Sequence, residues 1–184
     1  REIAATAYLN PAALPLDMEA GLEAQYRYAA PMFSFSNATH FCVAEVDTHT
    51  GMIAVRRWVV SEDCGVMLNP SVVEGQVDGG VAQAIGGVLW EEMPYDAYGN
   101  PEGGTLKDYL LPLATDMPII EFGHIVTPSP TPTGAKGVGE GGAIVGAPAI
   151  YNAVMDALAP FGVTIAQLPL TPARVLAAIS GESA

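Results

Sequence analysis

The chain is short of positive charge. Seven Lys and Arg stand against twenty Asp and Glu, a formal charge of −13 over 184 residues. A surface of that sign repels phosphate backbones and anionic lipid, so nucleic acid and membrane surfaces are excluded as expected partners. Cysteine is scarce too: Cys42 and Cys64 have no CxxC spacing and form no disulfide framework, which predicts free thiols in a reducing, cytoplasmic setting. The three histidines, His40, His49 and His124, are isolated, and no pair has metal-ligand spacing; no residue is expected to hold a metal directly. A long uninterrupted apolar run is also missing. Gly142 to Val163 comes nearest, but Pro148, Asn152, Asp156 and Pro160 break it, and it reads as a core segment rather than a membrane span. The chain opens on Arg1 with no basic and apolar leader, and the expectation is a processed piece or a part of something larger.

What is present reads as one α+β domain. Half the residues are hydrophobic, enough for a sizeable core. Residues 1–36 scatter prolines and aromatics without a period of 3.6 or 2, and are expected to form an extended lead-in; short strands at Tyr26, Tyr28, Phe33 and Phe35 are the alternative. The domain proper is expected over 37–184. His40 to Val46 and Met52 to Val60 are β-branched and aromatic around the turn-forming Asp47 to Gly51, which predicts a hairpin. Both its faces are largely apolar, so both are expected to be covered. Asn69 and Pro70 suit a helix start. Val73, Val77, Val81, Ala84, Ile85, Val88 and Leu89 follow at helical spacing. Leu106 to Leu111 and Ile119 to Val126 read as further strands, Pro148 as the opening of a helix ending near Pro160, and Thr171-Pro172 as the start of a last helix closed by Gly181. The expected fold is a small mixed or antiparallel sheet packed with about three helices.

Two stretches carry chemistry. The first is a stripe on the helix after Pro70: Gln76, Gly80, Gln83 and Gly87 recur at four, three and four, among Gly75, Gly79 and Gly86. Glycine costs a helix interior about 1 kcal/mol relative to alanine, so such density implies close approach of another backbone or of a ligand. Tight helix packing and ligand contact both remain open at this level; Gln76 is the discriminating residue, because packing does not call for an amide. The second is the glycine loop Thr131 to Ala149, which sets Glu140 among Gly134, Gly137, Gly139, Gly141 and Gly142. Gly137 to Gly142 satisfies G-x-G-x-x-G, but a proline-rich connector precedes it where a Rossmann turn needs a strand. Lys136 precedes the glycines rather than closing them, unlike a P-loop. Glu140 is the best acid or base in the chain, and a partly desolvated site would raise its pKa to a useful value; a loop carboxylate facing water is the alternative.

Taken together, Glu62-Asp63-Cys64-Gly65 through Asn69-Pro70, the Val73 to Gly86 helix, and Lys136-Gly137-Val138-Gly139-Glu140 resemble the molybdenum hydroxylase family. That family includes xanthine dehydrogenase, aldehyde oxidoreductases and aerobic carbon monoxide dehydrogenase, and the likeness is to the bacterial molybdopterin-binding large subunit. The resemblance implies a C-terminal molybdopterin-binding domain, with molybdopterin cytosine dinucleotide and molybdenum as cofactor. It implies that Gln76 hydrogen-bonds the pterin, helped by Gly79, Gly80 and Gln83, and that Lys136, Gly137, Val138 and Gly139 pass close to it. Glu140 would be the general base that takes a proton from the metal-bound hydroxyl. Iron-sulfur clusters and FAD on partner chains would receive the electrons. The chain departs from many bacterial relatives at Asp78, where they carry His. Family members are also much longer, so a companion molybdopterin-binding chain or the missing part of the large subunit is an implied partner, and a small molecule the implied substrate. The contrasting reading is a non-catalytic cofactor-binding or scaffolding module, or an isolated fragment with no activity of its own.

Overall fold

The computed structural model describes residues 1–29 and 32–181. The chain divides into two compact units, Arg1–Pro31 and Met32–Ala184. In the first, Glu2–Leu9 form helix α1 and Pro11–Ala13 a single 3-10 turn. The following segment folds back on α1: Gly21 N donates to Ala7 O at 2.8 Å and Leu22 N to the Tyr8 hydroxyl at 3.1 Å. An extended lead-in was expected here, and the start of the chain is helical instead. Short-range hydrogen bonds and a buried Ala7 suffice to hold two turns whose periodicity is too weak to see. Tyr26, Tyr28, Phe33 and Phe35 lie in neither helix nor strand, and Pro31 falls outside the described residues.

The second unit is built on a mixed three-stranded sheet. Strands β1 (Asn37–Val46) and β2 (Ile53–Asp63) form the expected hairpin, and β3 (Ile120–His124) adds to β2 in parallel. The Asp47 carboxylate accepts from the amides of His49 and Thr50 and so stitches the hairpin turn. Arg56 is the extra residue of a bulge, since Val43 faces Arg57 and Ala44 faces Val55. The described residues cover one face of the sheet. Phe41 and Val43 stand 65% and 54% exposed, contrary to the two-sided burial expected from their apolar character. The Arg57–Glu121 ion pair runs across this open side at 2.6 and 2.9 Å.

Helices α2 (Pro70–Leu89) and α3 (Gly141–Leu158) pack against each other, and α3 lies along the covered face of β1. Asn69 caps α2 by accepting from Val72 N, with Pro70 in the first turn as its sequence predicts. One buried cluster unites Trp58 and Val60 of β2, Val77, Val81 and Ile85 of α2, and Ile150, Val154 and Leu158 of α3. The Gly142 to Val163 tract is thus a core helix. By length and composition alone Gly141–Phe161 would suit a membrane, but its Ile150, Val154 and Leu158 are fully buried in this cluster. Helix α4 (Pro172–Ser180) is capped by Thr171 and ends at Gly181 in the left-handed conformation. Arg174 ties it down, donating to Pro169 O at 2.8 Å and pairing with Glu92 at 2.5 Å.

Two element boundaries differ from expectation. Helix α3 begins at Gly141 and carries Pro148 in its interior, whereas Pro148 was expected to open it. Glycines at Gly141, Gly142 and Gly146 are poor helix formers in isolation, but here they let the helix start flush against its neighbours. Leu106 to Leu111 forms turns rather than a strand. Asp108 and Tyr109 donate their amides back to Thr105 O, and no strand edge pairs with the segment.

Candidate functional site

The crossing of α2 and α3 is set by two facing glycines. A Cβ on Gly80 would stand 2.6 Å from Ala143 N, and one on Gly142 would stand 2.4 Å from Val77 O. Neither position has room for a side chain, so the backbones meet. This contact places Glu140, the N-cap residue of α3, beside the outward face of α2. The result is a cleft of about 560 Å³ walled by Gly75, Gln76, Gly79, Gly80 and Gln83 of α2 and by Gly139 and Glu140 of the loop, with Ala143 and Ile144 completing it. The two stretches that carried the sequence argument therefore form one surface.

The glycines of α2 divide into two kinds. Gly80 is buried and its missing side chain is replaced by α3, which is the packing reading. Gly75 and Gly79 have no atom within 4 Å of where a Cβ would be, and they leave the cleft wall open. Gln76 and Gln83 are exposed along the same face, and among the described residues neither amide has a hydrogen-bond partner. Gly137 and Gly139 also border open space.

The loop carrying Glu140 is anchored by main chain and by one buried ion pair. Val66 N donates to Gly134 O at 2.9 Å and Lys136 N to Cys64 O at 2.7 Å, with Gly65 and Ala135 bridged between them. Gly65 has φ +66°, and a Cβ there would meet Gly134 O at 2.2 Å, so only glycine allows this pairing. The stretch after β2 thus does the work of the leading strand that the proline-rich connector lacks. Lys136 Nζ lies 2.8 Å from Asp63 Oδ2, and the two side chains are only 4% and 7% exposed. Thr127 Oγ1 also contacts both Lys136 Nζ and Asp63 Oδ2, and Gly65 N donates to Asp63 Oδ1 at 3.0 Å. The Lys136 and Thr127 hydrogen bonds hold the Asp63 carboxyl well below the usual carboxylate range. The Lys136 ammonium is committed to this cluster, and Lys136 and Val138 are not among the residues that wall the cleft beside Gln76.

Glu140 itself is exposed, and its carboxylate makes no cap bond; its main-chain oxygen accepts from Ala143 N and Ile144 N. The partial desolvation expected around it is not provided by the described residues. Behind it lies a second concavity of about 340 Å³, lined by Gly137 to Gly141, Ser36 to Ala38, Ile144, Val145 and a residue the sequence argument had not singled out, Glu62. Glu62 is 2% exposed and neither of its oxygens has a hydrogen-bond partner. Burial pushes its carboxyl up from the ordinary value, opposed by His124 and reinforced by Asp63. The available signal was the Glu62-Asp63 pair itself: two carboxylates one residue beyond the apolar Trp58-Val59-Val60 run are unusual at the end of a buried strand.

Known proteins show which family the chain resembles. A family model described as the molybdopterin cofactor-binding domain matches residues 1–118. The carbon monoxide dehydrogenase large chain of Hydrogenophaga pseudoflava is 42% identical over 175 residues, 95% of this chain and 21% of the relative. The nicotine 6-hydroxylase large subunit of Paenarthrobacter nicotinovorans is 41% identical over 181 residues, 98% of this chain and 22% of the relative. Among solved structures, quinoline 2-oxidoreductase from Pseudomonas putida 86 superposes with a TM-score of 0.86 at 40% identity, over 99% of this chain and 23% of that one. The chain belongs to the molybdopterin cofactor-binding domain family of the molybdenum hydroxylases. It spans about a fifth of the length of these curated relatives.

The residues present fit the family's cofactor. A cleft of about 560 Å³ lies within the usual size range of small-molecule sites. Its two free amides offer donors and acceptors to a pterin edge, and the open Gly75 and Gly79 positions let a flat ring approach the helix backbone.

Proposed function

We propose that this chain supplies one wall of the molybdenum cofactor site of an oxidative hydroxylase and contributes its general base, Glu140. One observation carries the reading: the α2–α3 crossing brings Gln76, Gly79, Gly80 and Gln83 into the same cleft as Gly139 and Glu140. The cofactor is molybdopterin cytosine dinucleotide with molybdenum, and when bound it supplies the redox chemistry. Gln76 and Gln83 hydrogen-bond the organic part through their amides. Gly79 would leave room for the ring, and of the Lys136 to Gly139 stretch it is the main chain at Gly139 that would pass beside it. Glu140, fixed at the start of α3, accepts the proton that leaves during hydroxylation of a small substrate. Electrons pass on to iron-sulfur and flavin partners, and the remaining walls come from a companion chain or from the rest of a large subunit. The compartment is the cytoplasm.

A non-catalytic cofactor-binding module is the second reading, and the exposure of Glu140 favours it. Turnover separates the two. In the complete molybdenum-loaded enzyme, Glu140→Gln is expected to lower kcat by roughly 100-fold or more while molybdenum and pterin content stay at the wild-type level. Unchanged turnover at full loading would remove Glu140 from the base role and leave the module reading standing.

A further inference from the structure

Among the described residues two acids are buried outside the cofactor cleft, Glu62 and Asp63; Asp63 is paired with Lys136, and Glu62 has no partner. Glu62 is the penultimate residue of β2, and both its carboxyl oxygens are shielded from solvent with no hydrogen-bond partner among the described residues. A Cβ on Gly141 would stand 3.0 and 3.2 Å from those oxygens, so the Glu62 carboxyl lies directly under the first residue of α3, next to Glu140. Glu62 lines the concavity it shares with Glu140 and Gly137 to Gly141. It also lines a second concavity of about 240 Å³, formed by Asn37 to Thr39, Ser61, Asp63, Ile125 and Thr127. Glu62, with Asn37 and Ala38, is common to both.

We propose that Glu62 is a proton-transfer residue that connects Glu140 to this second concavity. The inference rests on the general-base reading of Glu140 and on the companion walls that would cover its exposed carboxylate in the complete enzyme, because a covered base that takes a proton in every cycle must return it to solvent by another route. The step balances simply. As Glu140 gives up its proton through water in the concavity the two share, an O–H bond forms on one Glu62 oxygen; the O–H bond on the other breaks, and that proton passes to a water admitted from the second concavity. No electrons change hands. A carboxyl that starts the cycle neutral is required, and the surroundings favour it. Burial with no hydrogen-bond donor penalises the charged form, and the adjacent Asp63 carboxylate adds like charge. His124, opposite Glu62 on β3, is the opposing influence. Its Nε2 lies 2.9 Å from Gly65 O, so that nitrogen carries the proton and donates to the carbonyl. Lys136 is already paired with Asp63. From β1 the lining residues are Asn37, Ala38 and Thr39, none of them charged, and from α3 the charged neighbour is Glu140.

Infrared difference spectra across a pH titration of the cofactor-free protein, in H2O and D2O, test the proton itself. The expected result is a protonated-carboxyl C=O band at neutral pH that shifts in D2O, disappears in Glu62→Gln and persists in Glu140→Gln. If Glu62→Gln leaves every such band in place, Glu62 holds no proton and the proposal is overturned. Should Glu62→Gln not fold, Glu62→Asp must displace the band, and an unmoved band overturns the proposal equally. In the loaded enzyme, Glu62→Gln is expected to lower kcat about tenfold with KM little changed and a larger solvent isotope effect, with partial rescue by Glu62→Asp. A wild-type kcat and isotope effect in Glu62→Gln would end the proton-transfer role while the base assignment stands. Full turnover in Glu140→Gln would instead end the base assignment.

Discussion

Gly80 and Gly142 meet backbone to backbone where α2 crosses α3: a Cβ on Gly142 would stand 3.0 Å from the Gly80 Cα. That contact fixes how far Glu140, two residues earlier, sits from the Gln76 face. Gly142→Ala should therefore strain the crossing and cost about 1–3 kcal/mol, as overpacking does. Gly75→Ala, in open space on the same helix, should instead stabilise by about 0.5–1 kcal/mol through backbone entropy. Urea unfolding of the cofactor-free protein checks both, and the opposite signs are the diagnostic outcome.

The open wall of the cleft makes a separate prediction. Gly79→Leu adds a good helix former where nothing stands within 4 Å, so stability should hold or rise slightly. The new side chain would occupy the cleft, and pterin released on denaturation should fall well below the wild-type amount. Wild-type pterin content in Gly79→Leu would mean that the cofactor does not use this wall.

Much of this frame is legible in the sequence because local signals agree with tertiary demands. Asn69-Pro70 caps α2, Asp47 and Gly51 turn the hairpin, and Thr171-Pro172 and Gly181 bracket α4. The cleft residues are legible as well, but only as two unconnected stripes; nothing in one dimension says that Gly80 meets Gly142. Three features escape for physical reasons. Helix α3 starts in a glycine run whose helicity comes from packing on Val77 and Gly80 rather than from propensity. Leu106 to Leu111 has strand-like composition, but its Asp108 and Tyr109 amides close turns on Thr105 O, which composition does not reveal. Phe41 and Val43 read as buried and are exposed, since apolar character does not say which face of a strand is covered.

Lys136 illustrates a similar limit, because its position beside the glycines suggests a ligand contact while its ammonium is held by Asp63 and Thr127. Lys136→Met leaves the Asp63 carboxylate buried and unpaired, which is costlier than losing the pair altogether. A fall in Tm of several degrees is expected, with part of it recovered in the double variant Lys136→Met/Asp63→Asn. Because Lys136 N also holds Cys64 O, loss of the ion pair should loosen the loop without unfolding the sheet. Amide hydrogen exchange would show this as faster exchange confined to 134–141. Uniformly faster exchange over β2 and α2 would instead assign the pair to the core.

Asp63 and Glu62, adjacent in the chain, should give stability opposite slopes with pH. The folded Asp63 pKa is depressed, so its contribution is complete above the unfolded value of about 3.9 and is lost as pH falls through the folded one. The folded Glu62 pKa is raised, so its contribution is complete below the unfolded value of about 4.3 and is lost as pH rises through the folded one. Tm followed from acid to neutral pH should therefore separate them. Asp63→Asn removes the acid-side dependence and is least stable, relative to wild type, near neutrality. Glu62→Gln removes the opposing dependence and gains on wild type as pH rises. If Glu62→Gln instead lost stability towards neutrality, the Glu62 carboxylate would have to be stabilised as an anion, and the peptide N–H groups at the start of α3 would be the source of that stabilisation.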